Sequence, residues 1–208
     1  MKTITTEVDK WQRSHFQIFW GEIAPCDHLV QIYENDKTFL NTLEGDGLLN
    51  GESVVIIATR EHLNYLNSRL ITQNFDIETL IFNDQYIPLD AEECIAAFMV
   101  NDLPDEVLFT RMVTDIMLRA QKGNRKVRAF GEMVAILWAQ GFTGATVRLE
   151  NLWHTFQQQK GFCLYCAYPK SGFTEDANAS INEICTAHSM VLNGETNPST
   201  EILYKTVV

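Results

Sequence analysis

The sequence predicts an α/β fold, an open and mostly parallel sheet with helices on both faces. Three observations carry this. Val54 to Ala58 (VVIIA) and Phe162 to Ala167 (FCLYCA) are apolar at successive positions, as a central strand buried on both faces must be. Strand-like runs alternate along the chain with segments of helical periodicity. The segments between strands are long enough for helical crossovers, which make neighbouring strands parallel and cover both faces of the sheet.

The elements follow in order. Leu29 to Tyr33 (LVQIY) reads as the first strand, with Asn35 or Asp36 placed to cap a helix reaching Leu43. Gly45, Gly47 and Gly51 break the chain before the strand Val54 to Ala58. Residues 61–72 form a helix, with Leu63, Leu66 and Leu70 on one face. Thr79 to Phe82 reads as a strand and Tyr86 to Leu89 as a short extended piece. Asp90 caps a helix from Ala91 to Met99, and Pro104 and Asp105 open a longer one that Gly123 stops. The apolar stripe of that helix is Leu108, Met112, Val113, Ile116, Met117 and Ala120. Lys126 to Phe130 is a strand, and Met133 to Ala139 a helix directly after it. Another helix runs from Thr143 to about Gln159, before the strand that Pro169 ends. Ile181 to His188 is a short helix, and the tail from Glu201 has the composition of an edge strand.

Length and composition bound the function. The 208 residues suit one α/β domain, with 46% apolar and 21% charged residues. A net charge of −11 argues against sequence-independent contact with nucleic acid, which needs a basic surface. The one basic run, Lys122 to Arg128, reads as a helix end and a strand start. The first residues, MKTITTEVDK, lack the apolar core of a signal peptide, and no stretch has the length of a membrane span. Five cysteines without a secretory pattern fit a reduced, cytoplasmic protein.

In open parallel sheets, ligands sit beyond the carboxyl ends of the strands. The residues placed there are Thr59, Arg60, Glu61 and His62; Gly131 and Glu132; and Tyr168, Pro169 and Lys170. A phosphate loop needs glycines, a lysine and a Ser/Thr hydroxyl. After Ala58 no lysine occurs before Lys122 and no glycine before Gly123, so this junction cannot cradle a triphosphate in the usual way. A helix N-terminus there still favours an anion, with Arg60 as one charge; the alternative is that Thr59 caps the helix and Arg60 and Glu61 are solvated. Glu132 reads either as a site carboxylate, working with Arg128 or Arg60 on a polar ligand group, or as an acid favoured by a helix N-terminus. His62 and His28 are ligand contacts or pH-sensitive groups, or else ordinary histidines satisfied by one hydrogen bond. Tyr168 joins the set by its place at a strand end. Cys185 and His188 form an i, i+3 pair with no matching pair, and no metal or cofactor is expected. Cys163 and Cys166 spell C-x-x-C, but positions three apart on a strand face opposite sides, which favours packing over a shared metal or a disulfide. Trp11, Phe16 and Trp20 mark residues 1–25 as an aromatic, helical extension that covers a face, closes a pocket or pairs two subunits.

Several segments, taken in order, resemble the MEDS domain, a sensory domain of methanogen, methylotroph and dichloromethane-repressor regulators. They are HLVQIYEND (28–36), GLLNGESVVIIAT (47–59), LDAEECIAAFM (89–99), VRAFGEMVAILWAQG (127–141), LENLWHTF (149–156), FCLYCAYP (162–169) and ICTAHS (184–189). The resemblance spans about residues 26–190, which leaves 191–208 as a tail. It implies a RecA-like three-layer sandwich with a degenerate phosphate loop. It implies sensing of a small organic molecule by a domain often fused to a kinase or a DNA-binding output domain, although residues 1–25 and 191–208 are too short for either.

The expected function is therefore a non-catalytic cytoplasmic sensor. A small organic ligand would bind at the strand ends through Thr59, Arg60, His62, Arg128, Glu132, Tyr168 and His28. A separate kinase or transcription regulator, or a second copy of the chain, would read the change; no direct contact with nucleic acid or membrane is expected. The alternatives are an enzyme on a remodelled ATPase-like frame and a structural partner protein with a vestigial nucleotide cleft.

Overall fold

The computed structural model describes residues 28–33, 46–169, 171, 190–193 and 201–205. The expected N-terminal extension, the helix after Asn35 or Asp36, Lys170, and the helix carrying Cys185 and His188 lie outside the described residues.

Nine strands are described: β1 (His28–Tyr33), β2 (Ser53–Ala58), β3 (Tyr86–Asp90), β4 (Met99–Val100), β5 (Leu103–Pro104), β6 (Val127–Gly131), β7 (Cys163–Pro169), β8 (Met190–Asn193) and β9 (Glu201–Lys205). Seven of them form one sheet in the order β3-β2-β6-β7-β1-β8-β9. Every pairing in it is parallel except β8 with β9, which is antiparallel and leaves β9 at the edge. At the other edge, Pro88 of β3 lies opposite Ile56 of β2. Further inside, Gly131 at the end of β6 lies opposite Cys166 of β7. The remaining pair, β4 and β5, is a hairpin whose two turn residues, Asn101 and Asp102, have positive φ of 50° and 62°. A two-residue turn that follows the strand twist requires that conformation, and Asn and Asp tolerate it.

The helices are α1 (Asp46–Leu49), α2 (Arg60–Thr72), α3 (Ile77–Phe82), α4 (Ala91–Phe98), α5 (Glu106–Ala120), α6 (Met133–Ala139) and α7 (Thr143–Lys160). Side chains alternate across each strand, so the two faces build two cores. On one face Val55, Ile57, Ala129, Leu164, Cys166 and Tyr168 pack under α4, α5, α6 and α7. Phe109 centres that core, edge-on to Trp153 at 5.0 Å and to Phe98 at 5.6 Å between ring centroids. On the other face Val54, Ile56, Phe130, Cys163 and Tyr165 pack against Leu48 of α1 and Leu66 and Leu70 of α2. The result is a three-layer α/β sandwich, with every residue of β2 buried.

One expected strand is a helix. Thr79 to Phe82 belongs to α3, because Asp76 caps the segment: its carboxylate accepts from the Thr79 amide at 3.1 Å and from the Thr79 hydroxyl at 2.7 Å. At the far end the Gln85 amide donates to the Leu80 carbonyl (2.9 Å) and the Asp84 amide to the Ile81 carbonyl (3.0 Å), with Asp84 at φ 53°. That closure is a Schellman motif. Thr79 and Ile81 are β-branched and favour a strand, but no residue of α3 is buried. The two ends decide the conformation.

Candidate functional site

The carboxyl ends of β2 and β6 meet at Glu132. The Glu132 amide donates to the Ile57 carbonyl (2.9 Å), which carries the β2–β6 ladder one residue past β6. The residue is only 4% exposed, and its side chain turns back to the start of α2. Oε2 accepts the Thr59 amide at 2.9 Å, and Oε1 is hydrogen-bonded to Nδ1 of His62. Thr59 caps α2 by accepting the His62 amide at 3.3 Å. Three of the expected residues, Thr59, His62 and Glu132, are thus one unit. With Nδ1 held by the carboxylate, the His62 ring meets anything else through Nε2. A carboxylate that fixes an imidazole this way orients it for hydrogen bonding or proton transfer. A Cβ placed on Gly131, on the Ile57 and Ala129 face of the sheet, would meet no atom within 4 Å apart from its two chain neighbours.

The two arginines are elsewhere. Arg60 is exposed and bonds Asp90 (3.0 and 3.2 Å) and Glu93 (3.1 Å) at the start of α4. The hydrogen bond and charge of Asp90 hold its guanidinium above the ordinary arginine value. Arg128 is buried near the opposite end of the sheet, with Nε on Glu52. Burial pulls its guanidinium down, but the hydrogen bond and charge of Glu52 outweigh this and leave it raised. It lines a cavity of about 210 Å³ with Arg125, Lys126 and Cys163. The expectation that Glu132 works with Arg128 or Arg60 is therefore corrected: its partners are Thr59 and His62, and each arginine has its own carboxylate.

Tyr168 and His28 belong to a third place, between the sheet and α7. The Tyr168 hydroxyl donates to Oε1 of Glu150 at 2.5 Å. Oε2 of the same carboxylate lies 3.8 Å from Sγ of Cys166 and 3.9 Å from Nε2 of His28, and Sγ to Nε2 is 3.6 Å. All four residues are at most 1% exposed. Burial, and then the Glu150 carboxylate, push the Cys166 thiol well above the usual thiol range. The ring of His154, one helical turn beyond Glu150, stacks on His28 at 5.8 Å. His28, Glu150 and Cys166 are a donor set of a kind that could hold a metal ion.

The family profile described as the methanogen/methylotroph, DcmR sensory domain matches residues 27–189. The chain belongs to the MEDS family. The MEDS domain here is also similar in fold to three solved structures. One is the Pyrococcus horikoshii protein PH0250, the subject of a structural study: TM-score 0.59, 9% identity, covering 93% of this chain and 94% of that one. The second is the flagellar accessory protein FlaH from Methanocaldococcus jannaschii: TM-score 0.52, 13% identity, 92% and 78% covered. The third is a KaiC-like protein from Pyrococcus horikoshii: TM-score 0.50, 15% identity, 80% and 71% covered. At these identities the likeness shows the fold, which is RecA-like. A comparison with curated proteins gives no match.

Two residues of the MEDS domain's buried cluster escaped the sequence reading. Cys166 was read as packing, and its position opposite Cys163 does hold: the two sit in different cores. Glu150 carried a readable signal. It falls within the buried stripe of α7, beside Ala145, Leu149, Trp153 and Phe156, where an acid requires a partner. A further strand end lies after β1. Residues 34–44 contain Lys37-Thr38 but no glycine, and they lie outside the described residues.

Proposed function

We propose that this MEDS domain is a non-catalytic sensor that binds a small organic ligand at the carboxyl ends of β2 and β6. Ligand contacts run through His62 at the start of α2 and the strand ends around it. A separate kinase or transcription regulator, or a second copy of the chain, reads the bound state. The observation that carries the reading is the engagement of Glu132. Glu132 commits one contact of each oxygen to the β2–α2 junction, one to the Thr59 amide and one to His62, and that junction has neither the glycine nor the lysine a phosphate loop needs. Membership of a sensory-domain family supports the role. No helix among the described residues is long and apolar enough to cross a membrane. Signalling then follows from differential affinity: a ligand that binds one state of the β2–α2 junction better shifts the population toward it.

Thermal unfolding with a panel of small organic compounds, set against Mg-ATP, tests this. A ligand at a hundred times its Kd adds about 2.7 kcal/mol, which for a chain this size is a rise of roughly 5–11 °C. A rise with an organic compound, abolished in His62→Ala, is the expected result. A rise with Mg-ATP alone would overturn it. The second reading, an enzyme on this frame, draws on the same carboxylate-held imidazole. It requires turnover that Glu132→Gln abolishes while the fold survives.

A further inference from the structure

We propose that His28, Glu150 and Cys166 form a buried binding site for one divalent transition-metal ion of the zinc type. Three elements bring the donors together: His28 starts β1, Cys166 lies inside β7 and Glu150 projects from α7. The separations among Nε2, Oε2 and Sγ are 3.6, 3.8 and 3.9 Å. The histidine–carboxylate distance is too long for a hydrogen bond, which spans roughly 2.7–3.2 Å for nitrogen and oxygen. The three atoms are nonetheless almost equidistant. A point midway among them lies about 2.2 Å from each, where Zn²⁺ bonds are about 2.0–2.1 Å to histidine, 2.0–2.2 Å to carboxylate and 2.3 Å to thiolate.

The surroundings agree with a metal centre. Tyr168 donates to the other oxygen of Glu150, as an outer-shell partner that orients a ligating carboxylate. His154, on the same face of α7 as Glu150, stacks on His28, and its buried Nδ1 has no hydrogen-bond partner. An imidazole, a carboxylate and a thiolate together select a borderline-soft ion such as Zn²⁺ or Co²⁺ over Mg²⁺ or Ca²⁺. On binding, the Cys166 thiol gives up its proton to solvent and its sulfur lone pair to the ion. Thiolate and carboxylate then balance the two positive charges, so the buried cluster becomes neutral overall. This site does not depend on the proposed sensor role. Its ligands lie beneath α7, and none of them belongs to the Glu132–His62 pair.

The test is titration of the chelator-treated full chain with Co²⁺, followed by its absorption spectrum. The expected result is one equivalent bound, with a sulfur-to-cobalt charge-transfer band that Zn²⁺ displaces. Cys166→Ala removes the band, while Cys163→Ala, on the other face of the sheet, keeps it. Tyr168→Phe weakens binding by roughly 10- to 100-fold, and Glu150→Gln by more. Circular dichroism separates loss of metal from loss of fold, and if Glu150→Gln does not fold, the two cysteine variants decide. A charge-transfer band that survives Cys166→Ala would assign the ion to other cysteines and overturn the proposal. Absence of any band in the unaltered chain would overturn it as well.

Discussion

Glu132 and His62, separated by 70 positions in sequence, are joined by a hydrogen bond across the ends of β6 and α2. With the Thr59 amide on its other oxygen, the Glu132 carboxylate holds the start of α2 to the sheet. Glu132→Ala leaves a partly buried amide and a fixed imidazole without their acceptor. Such a loss costs roughly 1–3 kcal/mol, and at about 2 kcal/mol the melting temperature falls by roughly 4–8 °C. Glu132→Gln keeps one acceptor for Thr59 and falls by less. Equal losses in the two variants would show that the hydrogen bonds are not what holds the junction.

Gly131 tests the open space at the end of β6. Apart from its two chain neighbours, an added Cβ meets nothing within 4 Å, and the backbone there is not in the left-handed region. Gly131→Ala should therefore leave the melting temperature almost unchanged while it weakens the response to any compound that stabilises the unaltered chain. A variant that unfolds early, or one that binds as before, would place the ligand elsewhere.

Alkaline pH probes the first core. Burial, followed by the charges of Asp90 and Glu93, pushes the Cys94 thiol up to about 11 from an ordinary 9.0. The folded state therefore keeps a proton that the unfolded state loses. Its contribution is complete below pH 9 and disappears as pH rises toward 11, with a slope of at most about 1.4 kcal/mol per pH unit. Denaturant midpoints measured across that window should fall, and Cys94→Ala should flatten the fall. Cys166 and Tyr86, both raised mainly by burial, act in the same sense.

The exposed Arg60 pairs should matter little. Solvent and salt screen a guanidinium that is 73% exposed, so Arg60→Ala should leave the melting temperature almost where it was. Acid is different for its partner. The Glu93 amide, opposed by desolvation and aided by Arg60, holds Asp90 below its ordinary value. Asp90 therefore contributes its stability above the usual carboxylate range and loses it as pH falls below that range. Asp90→Asn should reduce the acid sensitivity seen in a pH series of unfolding curves.

The central strands β1, β2, β6 and β7 and the long helices were legible because burial on two faces and helical periodicity leave continuous patterns, whereas the short β4, β5 and β8 were not read. Val54 to Ala58 and the stripe from Leu108 to Ala120 are of this kind. The helix at Ile77–Phe82 was not, because its ends set its conformation while its interior has strand composition. Thr59, His62 and Glu132 could be named from their place at strand ends, but their mutual hydrogen bonds could not. Arg128 was misplaced for a related reason: position along a strand also decides which end of the sheet a side chain serves. The buried cluster was least legible of all. His28 and Cys166 stand 138 positions apart, and only the β7–β1 pairing brings them together.

The outer rim at β3 restricts how copies or partners can assemble. The Val54 amide donates to the Gln85 carbonyl, which turns Gln85 and alternate residues after it toward β2. Tyr86 and Pro88 therefore direct their main chain outward, and at Pro88 there is no N–H to give. An incoming strand would find a missing rung in the ladder, a common guard against edge-to-edge aggregation. Growth of the sheet is disfavoured on this side. A strand added to β3 would forgo that hydrogen bond, so mixed sheets built there are a poor route to oligomers.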